Sequence, residues 1–218
     1  MIGVVKGKIA GPLILAIVFA LSRVLRVVSM DFANFSAAYA LAFCAGVYFS
    51  KRMAWWFPLT VFVVTDIALN FYWQARGSDP WSPANLANQS FNYIAYAVLI
   101  LLGRRFKPKS SFAALLGGGI LGAILFYFIT NTASWFFNPF HNPEYKKTLL
   151  GWWIALTKGT GGWPETWQFF RNTLLSGGLF TALFVGAAKL TAESPAEKTA
   201  GVKEEKEESE AEPKEAEA

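Results

Sequence analysis

Residues 112–137 run for 26 positions without one charged side chain, and residues 33–49 do the same over 17. A helix of a water-soluble protein keeps a polar face, whereas one that is apolar all round must be buried or lie in lipid. About 20 mostly apolar residues cross a bilayer, and the chain holds several runs of that kind. Six qualify or nearly qualify: about 9–29, 33–49, 53–73, 89–103, 112–137 and 168–190. The expected fold class is therefore all-α, a polytopic membrane protein with six transmembrane helices over residues 1–190.

Charge divides the chain in two. Residues 1–190 hold 16 Lys and Arg against 5 Asp and Glu, while residues 191–218 hold 4 Lys against 10 Glu. The second segment has too little apolar surface to offset its ordering entropy, which predicts a disordered acidic tail. The basic residues of the first segment sit between apolar runs rather than on one soluble face, so no nucleic-acid partner is expected. One Cys and one His exclude a disulfide framework and the Cys- and His-rich metal motifs, and no GxxxxGK[ST] stretch occurs. No cofactor or metal is called for.

Lys and Arg in short loops orient such proteins. With the N-terminus inside, cytoplasmic segments hold Lys6, Lys8, Lys51, Arg52, Arg104, Arg105, Lys107, Lys109 and Lys189, and external ones hold Arg76, Lys146, Lys147 and Lys158. Both termini are expected in the cytoplasm of a bacterial cell with the chain in its inner membrane. The first apolar run continues into Arg23 and Arg26 with no clear small-residue cleavage site, so it reads as an uncleaved helix.

Ionisable groups inside spans usually face a cavity or a partner. At 1.5 Å per residue, Arg23 and Arg26 lie roughly 21 and 25 Å along the first helix, Asp66 about 20 Å along the third and Asn131 about 28 Å along the fifth, with Arg171 and Asn172 opening the last. All fall in the outer half. Arg23 with Arg26, Asp66 with Asn70, and Asn131 with Trp135 have same-face spacing, so four helices would point polar groups into one outward pocket. Its excess of Arg suits an anionic or strongly polar solute. The alternative is an ion pair of Asp66 with Arg23 or Arg171, other Arg side chains reaching the interface, and Asn70 and Asn131 bonding between helices.

Seven of the nine Trp fall at or beyond the outer helix ends. An aromatic belt explains most of them. Residues 138–167 form a long outer connection in which 145–156 reads as a short amphipathic helix, either a lid or an interfacial element. Small residues four apart, Ala16 with Ala20, Ala38 with Ala42 and Gly46, and Gly118 with Gly122, mark close helix contacts or a partner surface.

Several strings then stand together: Asn34-Phe35-Ser36, Thr65-Asp66, Thr130-Asn131 with Trp135, Tyr145-Lys146-Lys147-Thr148 with Gly151, and Phe169-Phe170-Arg171-Asn172-Thr173-Leu174-Leu175. Over about residues 15–188 the chain resembles an uncharacterised family of small bacterial six-helix membrane proteins that looks related to the substrate-binding S components of energy-coupling factor (ECF) transporters. It departs from that pattern at Ala37, where proline is expected, and at Ser176-Gly177, where Gly-Asp is expected. The resemblance implies capture of a solute from outside under a loop lid, with a separately encoded transmembrane coupling subunit and ATPases as partners. Ala16 and Ala20 match the family's helix 1 docking spacing.

The expected function is a membrane solute-binding or uptake subunit for a small polar or anionic metabolite, not an enzyme. Its substrate-binding candidates are Arg23, Asn34, Ser36, Asp66, Asn70, Asn131, Trp135, Arg171 and Asn172, with Ala16 and Ala20 at a partner interface. The alternatives are a non-catalytic membrane assembly subunit, and an intramembrane enzyme acting on a lipid phosphate. The latter would lack a carboxylate pair, a metal cluster and a nucleophile with its base.

Overall fold

A computed structural model describes the backbone of residues 3–210 and the side chains of residues 14–25 and 27–190. Among the described residues seven α-helices follow in order: α1 Gly3–Val28, α2 Ala38–Tyr48, α3 Met53–Gln74, α4 Pro83–Gly103, α5 Phe112–Phe137, α6 Leu149–Thr157 and α7 Thr166–Glu210, with a 3-10 turn, Met30–Phe32, after α1. No strand occurs among the described residues.

The centre of the bundle is α2. Every residue from Ala38 to Val47 is buried, and α3, α4, α5 and α7 all pack against it. Its charge-free sequence follows from that position, because it meets protein on every side. Its small residues set how closely the neighbours approach: a Cβ on Gly46 would collide with the Ile100 carbonyl oxygen of α4, and one on Gly103 with that of Phe43. The α5–α7 contact is made in the same way, Gly119 lying against Thr181 and Gly177 against Ala123.

Among the described residues four helices, α3, α4, α5 and the Thr166–Leu190 part of α7, are long and apolar enough to cross a membrane. Only 22% to 39% of each such stretch is buried, leaving residues such as Val64, Phe71, Ile94, Leu121, Leu179 and Leu183 exposed around the perimeter. So much continuous apolar surface would drive association in water; hydrocarbon accommodates it. Of the other two expected spans, α2 has 11 residues, about 16 Å of helix, and is shorter than a hydrocarbon core of about 30 Å. The described apolar part of α1 is Ile14–Leu25.

Helix ends follow local chemistry. Ser82 accepts from the Asn85 amide with Pro83 in the first turn, so α4 begins six residues before its expected start. Ser111 caps α5 and Thr148 caps α6 through the same type of bond. At the other end of the chain α7 continues as backbone helix to Glu210, where a disordered tail was expected from residue 191. Its Ala, Glu and Lys are strong helix formers, so local preference favours a helix there. Residues 211–218 lie outside the described residues.

Candidate functional site

A cavity of about 610 Å³ opens at the end of the bundle where α3 finishes and α4 begins. Three elements meet there: the outer part of α1 with the loop after it, the last turns of α3, and the first turns of α4. The 30–37 loop is built to hold its shape. Asn34 takes a left-handed φ of 63°, and its carbonyl accepts from the Tyr39 hydroxyl at 2.8 Å. The Ala37 amide donates to Ser22 Oγ at 3.0 Å, a bond that proline, expected here from the resemblance, lacks the N–H to make.

Arg23 and Asp66 face each other across this cavity and form the only ion pair among the described residues, at 2.5 Å. The second carboxylate oxygen of Asp66 accepts from the Tyr93 hydroxyl of α4 at 2.7 Å. Asp66 is buried, so the pair meets the requirement that an ionised group removed from water be matched in charge and hydrogen-bonded. No other charged residue among the described ones lines the cavity. Its formal charge among the described residues is therefore zero, and the expected surplus of Arg is not found there.

One wall is a row of amides on α4. Asn85, Asn88, Gln89 and Asn92 all line the cavity, and their spacing puts them on one helix face. Asn85 Nδ2 donates to the Asp79 carbonyl at 2.7 Å, and Asn88 Oδ1 accepts from Ser134 at 2.9 Å. Asn70 of α3 meets Gln89 at 3.5 Å, while among the described residues no hydrogen bond engages the Asn92 side chain. The floor is aromatic: the Tyr96 and Phe126 rings stack 5.1 Å apart, and Tyr39 lies 4.7 Å from Phe126. Trp73, Phe140 and Trp163 also line the cavity.

Five of the nine expected binding residues, Arg23, Asn34, Ser36, Asp66 and Asn70, line this cavity, and four do not. The Asn131 amide donates to the Tyr127 carbonyl of its own helix at 2.8 Å. Trp135 Nε1 donates to the Lys146 carbonyl at 2.7 Å. Asn172 is buried and ties α7 to the 30–37 loop, donating to the carbonyls of Asp31 at 2.6 Å and Ala33 at 2.9 Å. Arg171, one residue earlier, is exposed. Position along a helix fixes depth; each residue also turns the side chain by about 100°, and these four point elsewhere. Arg26 has its side chain outside the described residues. Of the expected partner-interface pair, Ala16 is half-buried and Ala20 exposed.

Of the α4 amides, Asn85 and Asn88 were missed because an apolarity criterion starts that helix at residue 89, while Gln89 and Asn92 fell inside the expected span but were not singled out as polar groups within it. Their 85, 88, 89, 92 spacing was the available signal.

Several of the unplaced motif residues build the outer connection instead. Lys147 Nζ donates to the Trp135 carbonyl at 2.7 Å and also bonds that of Phe136. Trp152 Nε1 donates to Thr132 at 2.9 Å, and the Tyr127 hydroxyl bonds the Leu156 carbonyl. A Cβ on Gly151 would strike the Lys146 carbonyl. Burial and the neighbouring Glu144 charge push the Tyr145 hydroxyl above its ordinary pKa. The connection is thus fastened to the end of α5, and it brings Phe140 and Trp163 to the cavity.

What the fold and site define is an all-helical protein with membrane-length apolar helices and one polar, aromatic-floored cavity at a bundle end. The chain belongs to a family of unknown function, DUF6580, whose model matches residues 6–199. No curated protein and no solved structure matches it.

Proposed function

We propose that this protein is a six-span membrane subunit that binds a small solute from outside the cell, and that the solute is flat, polar and uncharged. The observation that carries the reading is the charge balance of the cavity: Arg23 is already matched by Asp66, so among the described residues no unmatched cation lines it. Side-chain amides present donors and acceptors together, and rings that stack favour a planar partner. The volume of about 610 Å³ falls in the range of small-molecule sites. In this reading α1 and the short α2 complete the six spans, the cavity faces outward, both termini are cytoplasmic, and the 138–165 connection is its lid.

The motif resemblance to ECF S components supports uptake together with a separate coupling subunit. A partner surface on α1 is favoured by one further feature: Ile14, Ile17, Leu21, Val24 and Val28 are all exposed, and their alternating three- and four-residue spacing makes a single stripe beside Ala20.

The test is thermal melting of the detergent-purified protein against a panel of uncharged heterocycles and their carboxylate or phosphate analogues. An uncharged member is expected to raise the melting temperature, and Asn92→Leu to abolish the rise. Stabilisation by the anionic analogues alone, or an equal rise in the variant, contradicts the reading.

A further inference from the structure

We propose that the opposite end of the bundle carries a second binding site, for the headgroup of an anionic phospholipid. It is built from sequence upward. Lys51 and Arg52 form the turn between α2 and α3, and Arg104 directly follows the last residue of α4. The Gly46–Gly103 crossing, where neither helix tolerates a Cβ, draws the ends of α2 and α4 together and so brings Arg104 to that turn. The three cations, with Trp55, Trp56 and Leu59 of α3, line a recess of about 500 Å³.

Charge identifies the occupant. None of the three cations has an ion-pair partner among the described residues, the single pair being Arg23–Asp66. Apart from Asp66, the carboxylates of residues 1–190 are Asp31, Asp79, Glu144 and Glu165, all in segments at the cavity end. Among the described residues, the recess therefore offers uncompensated positive charge to a phosphate. Beneath it, Trp56 is 73% exposed and Leu59 is half-buried, an indole and an aliphatic side chain placed as interfacial residues are. A soluble phosphate would use the cations and leave this apolar side unused; a phospholipid uses both.

Native mass spectrometry of the full chain tests this, with cardiolipin or phosphatidylglycerol against phosphatidylcholine in mixed micelles. Each basic side chain near an anionic headgroup contributes a factor of about five in affinity. The K51A/R52A/R104A variant is thus expected to retain anionic lipid about a hundredfold more weakly than wild type, with its melting temperature kept because all three side chains are exposed. A control with the same loss of charge, R105A/K107A/K109A, should stay within about threefold, and millimolar inorganic phosphate should not displace the lipid. Equal losses in both variants would mean an unspecific basic surface and overturn the site, as would displacement by phosphate. Wild-type retention of anionic lipid no better than of phosphatidylcholine would also overturn it, pointing to the Glu-rich segment 191–218 as the occupant.

Discussion

Asp66 is where the energetics of the cavity concentrate. Its carboxylate is buried, bonded to Arg23 on one oxygen and to Tyr93 on the other. Removing one partner of such a pair leaves a charge unmatched and costs about 3 kcal/mol or more, whereas replacing both by apolar residues is often neutral. Asp66→Leu should therefore melt well below wild type, and Arg23→Met/Asp66→Leu should recover most of the loss; a double variant as unstable as the single contradicts this account. Tyr93→Phe removes a hydrogen bond to a charged acceptor, about 1.5–3 kcal/mol, and should lower the melting temperature without changing the cavity's charge. The sequence offered the pair only as an alternative, with Asp66 matched by Arg23 or Arg171, since an intramembrane Asp and an outer-half Arg call for each other; the structure gives Arg23. The charge of the pocket was not legible, because Arg171 and Arg23 share a depth but point in different directions.

At the scale of helices, close approach at glycines fixes the bundle. Gly103→Ala must push its Cβ into the Phe43 carbonyl, and overpacking of this kind typically costs about 1–3 kcal/mol. Gly117→Ala, where open space surrounds the position, should leave the melting temperature unchanged. The outer connection depends on Trp135 and Lys147. Trp135→Phe loses the bond to the Lys146 carbonyl, and limited proteolysis should then cut residues 138–148 faster than in wild type.

Helix identity was readable from apolar runs: α3 and α5 fall within a residue of their expected limits. The polar start of α4 was hidden because a hydropathy criterion begins the helix at residue 89 and leaves out Asn85 and Asn88. The burial of α2 was also hidden, since a helix surrounded by protein and one surrounded by lipid have the same apolar composition.

Across the whole molecule the two ends differ in chemistry. One holds a cavity, charge-balanced among the described residues, with an amide wall and an aromatic floor; the other holds basic residues without carboxylates among residues 1–190. That asymmetry matches the distribution of Lys and Arg that orients membrane proteins. The most direct measurement is mass spectrometry of small molecules released from gently purified wild-type protein and from Asn92→Leu. An uncharged, planar polar compound should be recovered near one equivalent from wild type and be strongly depleted in the variant. Recovery of an anionic compound, or of equal amounts from both proteins, would contradict the account.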